Sequence, residues 1–216
     1  MISWTLAVEL ARGTLTTMVI SLAGIAAGML IGLALALLRT ARLPVLTQAI
    51  AIYISMIRAT PVVTLALLVF FGLPAVGLAI GPFAAGILTL TINTSVFQAE
   101  IWRAQLNDFP RGQREAAYAA GMTDLLAFRR IIFPQVWRAA LPALVNEMTL
   151  LLKGSPAVAV IGVVDLTRVA VRMSSVTYEP VKPFLLATLI YIVIVMALIA
   201  AQRTIESTLV RKYGIL

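Results

Sequence analysis

From Thr14 to Leu38 the chain runs without one charged side chain, and every residue in that run is apolar, small or hydroxyl-bearing. A helix needs about 20 such residues to cross the hydrocarbon of a bilayer, and a helix apolar on all sides must be buried in protein or in lipid. The run is far longer than the roughly 7–15 residues of a secretion-signal core, and Glu9 precedes it together with Arg12. It reads as a retained first membrane span.

Composition extends that reading to the whole chain. Of 216 residues, 61% are hydrophobic and only 12% charged, with a mean hydropathy of +1.01. Soluble domains average under half apolar and about a quarter charged, so a chain of this make-up has no means of covering itself with polar surface. The expected fold is an all-α integral membrane protein of about five transmembrane helices, near 13–38, 45–71, 83–102, 136–152 and 184–201, in a single transmembrane domain spanning 1–216. Gly24, Gly28 and Gly32 place small residues on one face of the first span, which favours close packing on another helix of the same chain over a seam with a second copy. Arg58 and Pro61 interrupt the second span, and Pro61 is expected to bend it.

Charge and residue types exclude several activities. The net charge of +8 comes from arginines that flank apolar blocks, and no basic patch is interleaved with aromatics, so nucleic acid is not a partner. With no Cys and no His, the usual zinc sites, disulfide and thiol chemistry and the commonest general base are all missing, so no catalytic or metal residue is assigned. No Gly-Lys-Ser or Gly-Lys-Thr occurs, so any use of ATP and Mg belongs to another chain. The basic set Arg39, Arg42, Arg103, Arg111, Arg114, Arg129, Arg130, Arg138, Arg203, Arg211 and Lys212 falls towards one side of the expected spans. Only Arg12, Arg168, Arg172 and Lys182 fall on the other. The positive-inside rule then puts the N-terminus in the periplasm and the C-terminus in the cytoplasm.

Between the third and fourth spans, about 106–134, lies a charged segment on the basic side. It contains Arg111-Gly112-Gln113-Arg114-Glu115-Ala116-Ala117-Tyr118-Ala119-Ala120-Gly121. Glu115 to Ala120 favours a short helix, Gly121 suits a left-handed end, Thr123 can cap a second short helix, and Pro134 is expected to stop it. Two short helices joined at a glycine make a compact knob, and Ala116, Ala117 and Ala120 allow a partner to approach closely. A surface hairpin with no partner fits the same residues.

The segment resembles the EAA motif of ABC importer permeases. Glu115-Ala116-Ala117 is followed at the family's spacing by Gly121 and by Ile132-Phe133-Pro134. Arg58-Ala59-Thr60-Pro61, Glu100-Ile101-Trp102-Arg103, Gly112-Gln113, Pro134-Gln135, Leu141-Pro142 and Leu151-Leu152-Lys153 follow the order of the polar amino-acid permeases (histidine, glutamine, arginine and opine type). The similarity runs over about 13–206. One departure stands at Lys153-Gly154-Ser155-Pro156-Ala157, where the family usually carries KDTSL. The resemblance implies the type I ABC importer permease fold in the bacterial inner membrane. It implies coupling through Gly112, Gln113, Glu115, Ala116, Ala117 and Gly121 to two separate ATPase subunits that carry ATP and Mg. A second permease subunit, identical or homologous, and a periplasmic amino-acid-binding protein complete the implied assembly, and this chain itself has no cofactor.

A zwitterionic amino acid crossing an apolar bundle needs charged and hydrogen-bonding groups along its path. Arg58, Glu100, Arg103, Asn146, Glu147, Thr149 and Lys153 are the candidates. Asn146, Thr149 and Lys153 recur at helical spacing and are expected to share a face, with Glu147 beside them. Glu100 and Arg103, one turn apart, fit a mutual pair that only holds the bundle, whereas Glu147 fits a site for a cationic side chain. The segment 155–178 fits an outer amphipathic helix or a plain connection. A stand-alone secondary transporter or channel is the alternative; it would carry an internal repeat, which is not found, and has no need of the EAA spacing.

Overall fold

The computed structural model describes residues 4–40 and 43–213, and among them every regular element is helical. The chain runs through α1 (Trp4–Thr40), α2 (Pro44–Ala59), α3 (Val62–Ala75), α4 (Pro82–Asp108), α5 (Arg111–Ala119) and α6 (Asp124–Ala127). A π-helical turn (Phe128–Ile132), α7 (Phe133–Gly154), a 3-10 segment (Ser155–Ile161), α8 (Leu166–Thr177) and α9 (Val181–Tyr213) follow. Arg42 lies outside the described residues, as do the side chains of Arg211 and Lys212.

Three stretches, Leu6–Thr40, Asp124–Ile161 and Val181–Thr204, are each long and apolar enough to cross a membrane, and the α2–α3 pair makes a fourth when taken as one broken span. The expected count of about five included α4, which is too polar to qualify on composition. Its polar residues are inside: Thr89, Thr91, Thr94, Ser95 and Gln98 are all buried, because α4 is wrapped by α1, α3 and α7 and meets protein rather than lipid.

The glycine ladder explains how α4 comes so close to α1. A Cβ on Gly24 would stand 2.9 Å from Leu90 Cβ, one on Gly32 would stand 2.8 Å from the Ser95 carbonyl, and one on Gly28 would collide with the Thr94 side chain. The small residues therefore serve packing within the chain, as expected from their spacing.

The second expected span is broken rather than bent. α2 and α3 meet at 109° across Thr60 and Pro61. Pro61 has no N–H to continue α2, and Thr60 takes the extended conformation (φ −87°, ψ 124°) that a following proline imposes. Pro134, in contrast, does not stop a helix. It sits in the first turn of α7, and the turn before it widens to π geometry, with the Phe133 N–H bonded to the Phe128 carbonyl. The wider turn makes room for the ring and for its missing donor. Helix therefore continues from Asp124 to Ile161, and α4 runs on to Asp108.

Two apolar clusters hold the ends of the bundle. At the α5–α6 end, Ala36, Leu106, Ile132, Val136, Ala140 and Leu144 surround fully buried Trp102, which stacks on Trp137 with ring centroids 5.5 Å apart. At the far end Leu10, Leu166, Val169, Ala170 and Ala187 join α1, α8 and α9. There Asp165 caps α8 by accepting the Arg168 N–H at 2.8 Å, and the Leu166 N–H donates to Thr17 Oγ1 at 3.1 Å. The segment 155–178 is thus a 3-10 stretch followed by a tethered helix with apolar residues on one side, not a plain connection.

Candidate functional site: a charged cleft and a protruding knob

α5 begins behind Pro110, whose fixed φ of −59° leads into the helix, and ends at Ala119. Gly121 then adopts φ +77°. The Gly121 N–H donates to the Tyr118 carbonyl at 2.9 Å and the Met122 N–H to the Ala117 carbonyl at 3.1 Å, a paired closure of the helix end that needs a left-handed residue at this point. A side chain on Gly121 would meet nothing within 4 Å, so its backbone conformation, not space, asks for glycine. Thr123 caps α6 as expected, its hydroxyl accepting the Leu126 N–H at 3.4 Å.

Among the predicted coupling residues, Gly112, Gln113, Glu115 and Ala116 are exposed, Ala117 is buried and Gly121 makes the corner. Gln113 is anchored: its side-chain oxygen accepts from Gln135 Nε2 at 2.8 Å, tying α5 to the start of α7. The sequence reading missed what forms the tip. Leu125 is 76% exposed and Leu126 43%, with Tyr118 beside them at 44%. A four-residue helix after a cap cannot bury two consecutive leucines, and that was the available signal. An apolar tip at the end of a charged loop has the make-up of a docking surface.

The second site is a half-open cleft of about 320 Å³ between α2, α3, α4 and α7, at the lower end of ligand-pocket volumes. Arg58 from α2 and Glu147 from α7 line it, with Asn93 and Phe97 of α4 and Gly154 at the end of α7. The Arg58 guanidinium lies 5.4 Å from the centre of the Phe97 ring, a cation–π distance. Glu147 is only 8% exposed; Thr94 Oγ1 donates to its Oε1 at 3.3 Å, and Gln98 Nε2 donates in turn to Thr94 Oγ1 at 3.0 Å. Thr94 and Gln98 thus orient a carboxylate that faces the cleft. Polar residues at one-turn spacing in an apolar helix are the sequence signal that could have found this face.

The other candidates do not converge there. Thr149 is buried and its hydroxyl donates to the Val145 carbonyl at 3.0 Å, while Asn146 and Lys153 are exposed, so the three do not share one face as expected. Thr149 can satisfy its hydroxyl on its own helix and is pulled into the core, whereas a long cation and an amide cannot. Glu100 and Arg103 pair with each other, Arg103 Nε and NH2 donating to Glu100 Oε2 at 3.1 and 2.7 Å, and Arg39 of α1 donates to the other carboxylate oxygen. That cluster clamps α1 to α4 and lies outside the cleft lining.

Residues 12–211 match the family described as binding-protein-dependent transport system inner membrane component. The chain is 34% identical over 183 residues to the arginine transport system permease protein ArtQ of Bacillus subtilis, covering 84% of each. It is also 34% identical over 189 residues to the nopaline transport system permease protein NocM of Agrobacterium fabrum, covering 83% of this chain and 78% of that one. A solved amino acid ABC transporter with histidines superposes with a TM-score of 0.86 at 36% identity, over 94% of both chains. An inward-facing MetNI methionine ABC transporter shares the fold, with a TM-score of 0.82 at 20% identity over 95% of this chain and 98% of that one.

Proposed function

The chain belongs to the family of binding-protein-dependent transport system inner membrane components, as a permease subunit of the amino-acid ABC transporters, and from that premise we propose that it carries amino acids with cationic side chains through the Arg58–Glu147 cleft. The observation that carries this reading is the pairing of opposite charges across one cleft. Arg58 offers a guanidinium to an α-carboxylate, and Glu147 offers a carboxylate to a cationic group at the other end of the substrate. Glu147 is aimed by Thr94 and Gln98, so its geometry exists before substrate arrives. Relatives named for arginine and nopaline transport agree with a guanidinium-bearing substrate.

The work is divided among chains. ATP is hydrolysed by two partner ATPase subunits, which dock on the knob at Glu115, Ala116, Ala117 and the tip leucines. A periplasmic binding protein delivers substrate to the outer face formed by the 3-10 segment and α8. A second permease subunit covers the exposed stripe of α7 that carries Asn146, Leu150 and Lys153, three residues at helical spacing left uncovered among the described residues. The N-terminus lies in the periplasm and the knob in the cytoplasm, a reading that the arginine distribution supports.

The test is uptake by proteoliposomes holding the complete transporter with loaded binding protein. Glu147→Gln keeps the shape and the hydrogen bond from Thr94 but removes the charge. It should cut arginine uptake about 10–100-fold, the worth of one hydrogen bond to a charged group, and spare glutamine or histidine uptake. Equal loss for all substrates, or no loss, refutes the assignment. In the same vesicles Gly121→Asp should abolish substrate-stimulated ATP hydrolysis while the ATPase subunits alone remain active.

A further inference from the structure

A larger cavity, about 690 Å³, lies apart from the cleft, between the α5–α6 knob and the ends of α1, α2 and α4. Guanidinium groups enter it from three elements: Arg39 from α1, Arg103 from α4 and Arg114 from α5. The facing anions are fewer. Glu100 is shared between Arg39 and Arg103, and Asp124, whose carboxylate takes the Tyr118 hydroxyl hydrogen bond, is the acidic residue in the wall. Three cations therefore stand against two carboxylates. Arg114 lies over Phe109 at 6.0 Å from the ring centre, a contact that leaves its in-plane donors open to a ligand. The remaining wall includes Leu37, Leu106 and Ile132, so apolar side chains line the space alongside the basic ones.

The geometry points to a binding site for a singly charged phosphate group in this cavity, held by Arg39, Arg103 and Arg114. Guanidinium forks match phosphate oxygens in pairs, and one negative charge balances the surplus cation. A phosphodiester of an anionic phospholipid fits the mixed wall, its headgroup on the arginines and the root of its chains on the leucines. Basic pockets between membrane helices on the cytoplasmic side take such headgroups. Free phosphate offers the same oxygens without the apolar part. That the cavity opens to the inner leaflet rests on the orientation proposed above; the binding itself does not.

Native mass spectrometry of the intact transporter with its ATPase subunits tests the site and separates the two sources. Phosphatidylglycerol, phosphatidylcholine and inorganic phosphate are titrated separately. The expected result is one phosphatidylglycerol held per permease chain, about tenfold more tightly than phosphatidylcholine. Arg114→Gln, which leaves the Glu100 pairs alone, should weaken it about tenfold, and Asn107→Asp, which adds an anion to the same wall, should do likewise. Arg12→Gln on α1, an exposed arginine outside the cavity, should leave retention of both ligands unchanged. Phosphate binding with the same dependence on Arg114, and no lipid preference, would keep the site and assign it to the soluble ion. Equal retention of both ligands by wild type, Arg114→Gln and Asn107→Asp overturns the proposal. Substrate-stimulated ATPase activity measured on the same samples reports separately on the transport reading.

Discussion

Glu100 accepts from two arginines that reach it from different helices, Arg39 at the end of α1 and Arg103 one turn along α4. Its side chain is 22% exposed and those of Arg39 and Arg103 are 18% and 34% exposed, so water screens the cluster only in part. Replacing Glu100 with Ala leaves two like charges facing each other. The cost should fall between the ~0–1 kcal/mol of a surface bridge and the ~3–5 kcal/mol of a broken buried one, about 1–3 kcal/mol. That corresponds to a melting temperature lowered by about 2–10 °C for the chain in detergent; an unchanged melting curve would show the clamp to be idle. The Glu100–Arg103 pair was legible in the sequence because it spans one helical turn. Arg39 was not, because its distance from Glu100 along the chain is bridged only by the packing of α1 on α4. On the knob, the Asp124 carboxylate accepting the Tyr118 hydroxyl raises that phenol above the ordinary tyrosine value. The protonated phenol is the favoured form in the folded chain, so this contribution is complete below about pH 10 and is lost as pH rises through the folded value. A difference titration of wild type against Tyr118→Phe should show a midpoint above that of free tyrosine, and Asp124→Asn should bring it back down.

At the scale of elements, α1 packs tightly on α4 along its glycines. Gly28→Ala drives a methyl into the Thr94 side chain, and overpacking of this kind costs about 1–3 kcal/mol. Thr94→Ser removes the colliding methyl while keeping the hydroxyl that serves Glu147. The double variant Gly28→Ala/Thr94→Ser should therefore recover most of the thermal stability lost in Gly28→Ala. Purely additive effects would mean that the strain lies elsewhere. The ladder, the Gly121 corner and the Thr123 cap were readable because each is a rule about residues a few positions apart. The π turn before Pro134 was not: whether a proline ends a helix or is absorbed depends on what the preceding turn packs against, here Trp102 and Trp137 around Phe133. The polarity of α4 was visible, but its meaning was not. A helix with buried threonines and glutamine reads as a poor span until its neighbours are known.

For the whole molecule, the absence of cysteine makes topology directly measurable. Leu125→Cys on the knob and Val176→Cys on α8, at positions 76% and 80% exposed, each add a single thiol. With a membrane-impermeant maleimide, Val176→Cys should react in intact cells, and Leu125→Cys only after the membrane is opened or in inside-out vesicles lacking the ATPase subunit. The reverse pattern would invert the proposed orientation. The cleft belongs to this scale too. Arg58 and Glu147 were both picked out in the sequence as charges within spans, but their meeting depends on the sharp break between α2 and α3. No local pattern states that angle.

The widened turn at Phe128–Ile132 has a mechanical consequence. Because it carries helix past Pro134, the apolar tip at Leu125 and the carboxylate of Glu147 belong to one continuous helical stretch. At ~1.5 Å per residue they stand roughly 33 Å apart along it. Tilted about its midpoint by about 10°, such a see-saw displaces each end by about 3 Å, in opposite directions. A displacement of that size separates a charge-assisted hydrogen bond from open solvent. The proline that looked like a stop thus leaves the knob tip and the cleft carboxylate on one continuous helical stretch.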